Sequence, residues 1–277
     1  MNPLNDKINV PFPVKGEQPV QFLVSTMNNK FSYDFSNLDP KDCVVINQVV
    51  RDKLEEANIW AEDLRSLGAV VEIMEGSGLS RSRNRAIDLA AASYCVLVDD
   101  DCTYENNAAE TVERIFYNYS TIDIVSLQAK STDGNPFRDY HCNIFRHNLY
   151  TILNAASIEI AFRRTIFEAS KIRFDTRFGL GGNFKSGEEN ILLSDFKRAG
   201  YNVFYIPINI VTHVSDQYSQ SYDDDDLVTS KGAIVRRIFG DYAFPLIVLF
   251  AVKKYFQGRG KFWRLLSLGA RGFIMSR

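Results

Sequence analysis

Tyr94-Cys95-Val96-Leu97-Val98-Asp99-Asp100-Asp101-Cys102-Thr103-Tyr104 carries an apolar run straight into three adjacent aspartates. Residues 94–98 have the β-prone character of a strand buried on both faces. Neighbouring carboxylates repel one another, so a buried strand ending in three of them implies a cation or polar ligand at the carboxyl edge of a sheet. Mg2+ and Mn2+ take carboxylate oxygens and leave room for substrate phosphates. The plain alternative is an acidic turn that binds nothing.

Working outward, the chain alternates strand and helix. Val20-Gln21-Phe22-Leu23-Val24 reads as a first strand ending in Ser25-Thr26-Met27-Asn28-Asn29, and Cys43-Val44-Val45-Ile46 as a second ending in Asn47 and Gln48. Leu54, Ala57, Ala61 and Leu64 have helical spacing over 51–67, and Ala69–Met74 supplies a third strand. Such alternation predicts an α/β fold whose mostly parallel sheet collects ligand groups at one edge. Gly76-Ser77-Gly78-Leu79-Ser80 leads into a helix that opens with Arg81, Arg83 and Arg85. Cations are disfavoured at a helix N-terminus unless an anion is near, so these arginines are candidates for a phosphate or ribose, or for pairing with Asp88 and surface acids. Arg81 and Arg85 share a face that Arg83 does not.

Further on, a helix is predicted over about 106–118 and strands over 123–128 and 157–164. His141 and His147 stand among aromatics, where a histidine is more often a structural hydrogen-bonding group than a ligand. Residues 178–187 form a glycine-rich loop suited to border or cover a site. Glu188 and Glu189 follow and open a helix stopped by Gly200, a place that suits both capping and a general base. Tyr201–Pro207 and Ile210–Val214 are apolar runs, the second carrying His213 at its end.

The charge is uneven: residues 231–277 hold ten Lys and Arg against Asp241 alone, so a tail of +9 accompanies a body of −11 within a net charge of −2. A body this acidic is a poor nucleic-acid binder, whereas the tail suits an anionic surface. Tyr242–Val252 is apolar but, at eleven residues, too short to span a bilayer, which takes about 20 in a helix. Between 261 and 275, Phe262, Leu265, Leu266, Phe273 and Ile274 fall largely opposite Lys261, Arg264 and Arg271. That is the pattern of a helix lying in a membrane interface, or of one packed on the body or a second copy. The expected organisation is an extended lead-in over 1–17, a catalytic domain over 18–218, an acidic linker over 219–230 and a basic amphipathic tail over 231–277. The four cysteines lack Cys-x-x-Cys spacing and no secretory signal opens the chain, so reduced thiols in a cytoplasmic protein, peripheral on the inner face of the membrane, are expected.

Four passages, in order, resemble the inverting family-2 glycosyltransferases of GT-A fold over roughly residues 18–215. Ser25-Thr26-Met27-Asn28 is similar to the family's first nucleotide-binding strand end. Gly78-Leu79-Ser80-Arg81-Ser82-Arg83-Asn84 with Val98-Asp99-Asp100-Asp101 resembles its Arg-Asn helix and acidic metal motif. Gly187-Glu188-Glu189 resembles its catalytic-base motif, and Val211-Thr212-His213 its late metal-binding histidine. Two departures stand out: Asn47-Gln48-Val49-Val50 where many members carry an acid-rich turn, and Glu189 where the base is usually Asp.

The resemblance implies a Rossmann-like GT-A sheet with flanking helices, a Mn2+ or Mg2+ site at Asp99, Asp101 and His213, and a nucleotide-sugar donor, a UDP-sugar above others. Thr26, Asn28, Asn47, Gln48, Arg81, Arg83, Asp99 and Asp100 are its candidate donor-binding residues. Glu189, with Glu188 second, is the candidate base toward a hydroxyl of a glycan or lipid-linked acceptor, as in bacterial polysaccharide assembly. Two rivals remain. Asp99-Asp100-Asp101-Cys102-Thr103 also fits the Asp-x-Asp-x-Thr of haloacid-dehalogenase phosphatases, although three strands precede it here. A sugar-binding scaffold on a membrane surface is the non-enzymatic reading.

Overall fold

The computed structural model describes residues 19–213 and 224–276, so the lead-in over 1–17 and the linker residues 219–223 lie outside the described residues. The N-terminal half builds β1 (Val20–Met27), α1 (Tyr33–Ser36), β2 (Cys43–Val49), α2 (Leu54–Ser66), β3 (Val70–Glu75), α3 (Leu79–Leu89), β4 (Tyr94–Asp99), β5 (Cys102–Tyr104) and α4 (Ala108–Asn118). Then come β6 (Ile124–Ser131), β7 (Phe145–Arg146), β8 (Ile160–Arg163), α5 (Thr165–Ser170), α6 (Glu188–Arg198) and β9 (Val203–His213). Three helices close the chain: α7 (Asp225–Phe239), α8 (Phe244–Phe256) and α9 (Phe262–Met275).

One mixed sheet runs β3-β2-β1-β4-β8-β6-β9-β5, with β7 on β9. The first four strands of that order are parallel, as the strand–helix alternation predicts. Strand β8 is antiparallel to both β4 and β6, and β6 is parallel to β9. The two apolar runs expected at 201–207 and 210–214 merge, over residues 203–213, into a single strand, β9, whose pairing with β6 shifts register between Ser126 and Ala129, and Val214 lies outside the described residues. The strand expected over 157–164 begins later, because Ser157–Glu159 form one 3-10 turn before β8.

Helices cover both faces, which is why β4 can be apolar on both. Ala61 and Leu64 of α2 and Val112 and Ile115 of α4 pack on one face; Ala86 of α3, Phe167 of α5 and Leu192 and Phe196 of α6 on the other. From β1 the chain builds outward through β2 and β3 and then returns to β4 on the other side. This switch point lies at the carboxyl ends of β1 and β4, where Ser25 is in register with Asp99 and where folds of this kind take their ligands.

The C-terminal helices are joined to this body through α7. Ile234 packs with Phe178, Phe184 and Ile191, and Arg237 pairs with Asp195 of α6 at 2.7 Å. Gly187, just before α6, has a positive φ, and a methyl group there would overlap the Ile234 side chain. Of the acidic linker expected over 219–230, the described residues from 224 onward belong to a helix: Asp224 caps α7, accepting from the backbone N–H of Asp226 and Leu227, and Asp225 pairs with Arg264. Acids belong in a first helical turn, so the aspartate run starts a helix. The α9 stripe mostly packs inward, one of the arrangements its pattern allowed. Leu265 and Phe273 are buried against α7 and α8, while Trp263 and Ile274 face outward. Among the described residues no helix is long and apolar enough to cross a membrane.

Candidate active site

Strand β4 delivers the aspartates to the switch point, and each has a different neighbour. Asp99 Oδ1 accepts from Arg83 of α3 at 2.7 Å and Oδ2 from the Ser157 hydroxyl at 3.1 Å. Asp100 accepts from the Thr26 hydroxyl at the end of β1 at 2.6 Å. Burial raises the Asp100 carboxyl above its ordinary range, against the pull of that hydrogen bond. Asp101 lies 3.3 Å from Nε2 of His213, which the end of β9 brings beside β5. The hydrogen bond to His213 lowers the Asp101 carboxyl.

Arg83 joins this edge to α6. Its guanidinium is 1 % exposed and donates to Glu188 at 2.7 Å as well as to Asp99. Expected as a phosphate ligand, Arg83 is thus held by two carboxylates, which themselves offset its cost at the helix N-terminus. Glu189, next to Glu188, sits in the first turn of α6; burial, and then the charge of Glu188, push its carboxyl up to about 8. Among the other arginines, Arg85 pairs with Glu72, Asp88 pairs with Arg173, and Arg81 is exposed.

The remaining candidates divide between bracing and display. Asn47 and Gln48 are buried and committed to Asn29 and to the Gly78 carbonyl, so these amides shape the loops around the switch point. Asn28 adopts a positive φ of 55° and ties its backbone N–H to Gln48. The glycine-rich segment is pinned: Phe178 and Phe184 stack at 4.9 Å, and the Ser80 hydroxyl donates to the Phe178 carbonyl at 2.6 Å. It borders the site as a packed wall. His147 is structural, bonded to Ser126 and Thr151, and burial pushes it down to about 4.

Ligand atoms of Asp101, Cys102 and His213 lie within 4.8 Å of one another. The Cys102 thiol is buried, and burial together with Asp99 and Asp101 raises it far above its usual range, so it stays protonated. A hard cation favours oxygen and imidazole over such a thiol. Asp101 and His213 fit a divalent cation; Asp99, expected as a third ligand, accepts one hydrogen bond on each oxygen, from Arg83 and Ser157, and keeps further lone pairs on both. Ser157 and Cys102 are the neighbours that the residue pattern did not single out. Both sit at the edges of apolar segments, with no motif to mark them.

A parallel half-sheet switching at an acidic edge, extended by β8, β6 and β9, is the GT-A fold. No family model matches the chain, and no curated protein does. Solved structures do share the fold. TarS 1-349 from S. aureus in complex with UDP-GlcNAc matches with a TM-score of 0.56 at 13% identity, covering 86% of this chain and 72% of that one. The mannosyltransferase PcManGT from Pyrobaculum calidifontis, in complex with GDP-Man and Mn2+, also matches at 0.56, with 12% identity over 98% of this chain and 92% of its own.

Proposed function

We propose that this chain is an inverting glycosyltransferase moving a sugar from a nucleotide sugar, a UDP-sugar above others, to a hydroxyl of a glycan or lipid-linked glycan. The observation that carries the reading is the meeting of residues distant in the chain. Asp99 and Glu188 are joined by one buried arginine whose charge also reaches Glu189, and Asp101 meets His213. The fold shared with two nucleotide-sugar complexes gives that edge a natural ligand.

In this reading Thr26 and Asp100 bind the nucleoside side of the donor, and Arg81 is the exposed cation available to its phosphates. Asp101 and His213 would hold Mn2+ or Mg2+, and the ion would supply charge stabilisation for a leaving diphosphate. Arg83 keeps Glu188 and Asp99 in place. Glu189 accepts the proton of the acceptor hydroxyl as that oxygen attacks the anomeric carbon from the face opposite the diphosphate, inverting the centre. Asp101→Asn is expected to abolish Mn2+-dependent release of UDP from donor, lowering turnover by about 10² or more while the fold survives. Metal-dependent release at the wild-type rate would remove Asp101 from the metal site.

The tail supports a membrane surface as the place of action. Around the α8–α9 turn, Tyr255, Phe256 and Trp263 are exposed among Lys253, Arg259 and Lys261. Exposed aromatics next to lysine and arginine suit the interface of an anionic bilayer. Vesicles rich in phosphatidylglycerol are expected to sediment the protein and shift Trp263 emission to the blue. Replacing Phe256 and Trp263 by Ser should weaken partitioning by about tenfold or more. Equal binding of the double variant would place the contact elsewhere.

A further inference from the structure

Helix α6 carries Glu188 and Glu189 in its first turn, yet it starts on Gly187, which has no side chain to cap it. That start is fixed from outside, by α7. The Ser230 hydroxyl, fully buried, accepts from the backbone N–H of Lys185 at 2.8 Å and donates to the Asp226 carbonyl at 2.7 Å. The Lys185 ammonium reaches Asp226 at 2.8 Å and Asp224 at 3.4 Å. Ile234, about one turn beyond Ser230, fills the space that a Gly187 side chain would need. Arg237 then holds Asp195 of α6 through two bonds, at 2.9 and 2.7 Å, and Asp175 at 3.2 Å. Helix α7 therefore fixes both the entry to α6 and its body. Apolar packing alone would join the two helices; a buried hydroxyl aimed at one backbone N–H just before the base sets a position as well.

Next to Ser230, Lys231 is half-buried and makes no hydrogen bond or salt bridge among the described residues. It lies about one helical turn before Ile234, so the two share the side of α7 that meets Gly187. Three charged groups reach the Glu189 carboxyl: Glu188 on its own helix, Arg83 from α3 and Lys231 from α7. Arg83 is already divided between Asp99 and Glu188, which leaves Lys231 to serve Glu189.

We infer that α7 belongs to the active site: Ser230 is a positioning residue that sets the start of the base helix, and Lys231 is a second, the cation that receives Glu189 in its charged form. The kinetic consequence rests on the transferase reading; the placement of Glu189 by α7 does not.

Three measurements on the full chain test this. Hydrogen exchange of the amides over 185–191 is expected to quicken about fivefold or more in Ser230→Ala; unchanged exchange would overturn the role of Ser230. The Glu189 carboxyl, followed by 13C NMR and assigned by its loss in Glu189→Gln, is expected to titrate at higher pH in Lys231→Met, because removing a nearby cation disfavours the charged form. Lys231→Arg should bring it back toward the wild type, and an unmoved titration in Lys231→Met would overturn the role of Lys231. Mn2+-dependent UDP release from UDP-glucose and UDP-N-acetylglucosamine is expected to fall about tenfold in Ser230→Ala, with UDP affinity by calorimetry unchanged. A wild-type rate beside quickened exchange would overturn the positioning role and leave Ser230 a purely structural group. No release by the wild type from either donor would count against the transferase reading, while exchange and titration would still decide whether α7 places Glu189.

Discussion

Glu189→Gln is expected to lower kcat by about 10²–10⁴ while leaving the affinity for UDP near that of the wild type. The carboxylate acts only when the acceptor oxygen loses its proton, so the loss belongs to the transition state rather than to donor binding. The sign of the pH dependence follows from its surroundings. Burial and the charge of Glu188 raise the Glu189 carboxyl, so as pH falls a growing share of it carries its proton and is lost as a base. In the wild type, kcat/KM should therefore climb with pH and level off above about 8. Glu189→Gln should flatten that limb as well as lower it. A variant retaining both the wild-type rate and the rising limb would transfer the role to Glu188 or to another group.

Arg83→Met is expected to be the most damaging single change to the fold around the site. The replacement fills similar space but leaves Asp99 and Glu188 without their shared cation, and Glu188 is nearly as buried as the arginine. Breaking a buried pair by removing one partner costs about 3–5 kcal/mol, which for a chain of this size is roughly 6–20 °C in melting temperature. A structural arginine alone would explain that loss, so the second readout is the pH profile. Arg83 favours the ionised form of Glu189, and its removal should move the rising limb of any residual activity to higher pH. Arg83→Lys should recover part of the stability, since one ammonium cannot serve both carboxylates as the guanidinium fork does. Unchanged stability together with an unchanged pH limb would remove Arg83 from its place between the two carboxylates.

The residues that announced the fold did so through local pattern. An apolar β4 ending in acids, amide- and hydroxyl-tipped β1 and β2, and helical spacing over 54–64 are visible because strand and helix periodicities are local properties. The approach of His213 to the aspartates could be named only through a family likeness, and its position at the end of an apolar run is what made it visible. Long-range pairing was illegible. Nothing near Arg83 says that one of its partners is Glu188, 105 residues away. Charge at a helix start calls for an anion, but pattern does not distinguish a ligand phosphate from a carboxylate of the same chain. The same limit explains the tail. The α9 stripe was visible as a stripe, yet which side meets α7 depends on packing: the glycines at 232 and 269 bring the α7 and α9 backbones so close that a Cβ on Gly232 would strike the Gly269 carbonyl. The residues left outside, Phe256 and Trp263 among them, are those that packing did not claim.

The most direct measurement is anomalous diffraction from crystals grown with Mn2+ and UDP. A manganese peak between the Asp101 carboxylate and the His213 imidazole, sharing the diphosphate of UDP at the carboxyl ends of β1 and β4, is the predicted result. UDP seated away from that edge, or manganese bound without Asp101 and His213, would contradict it.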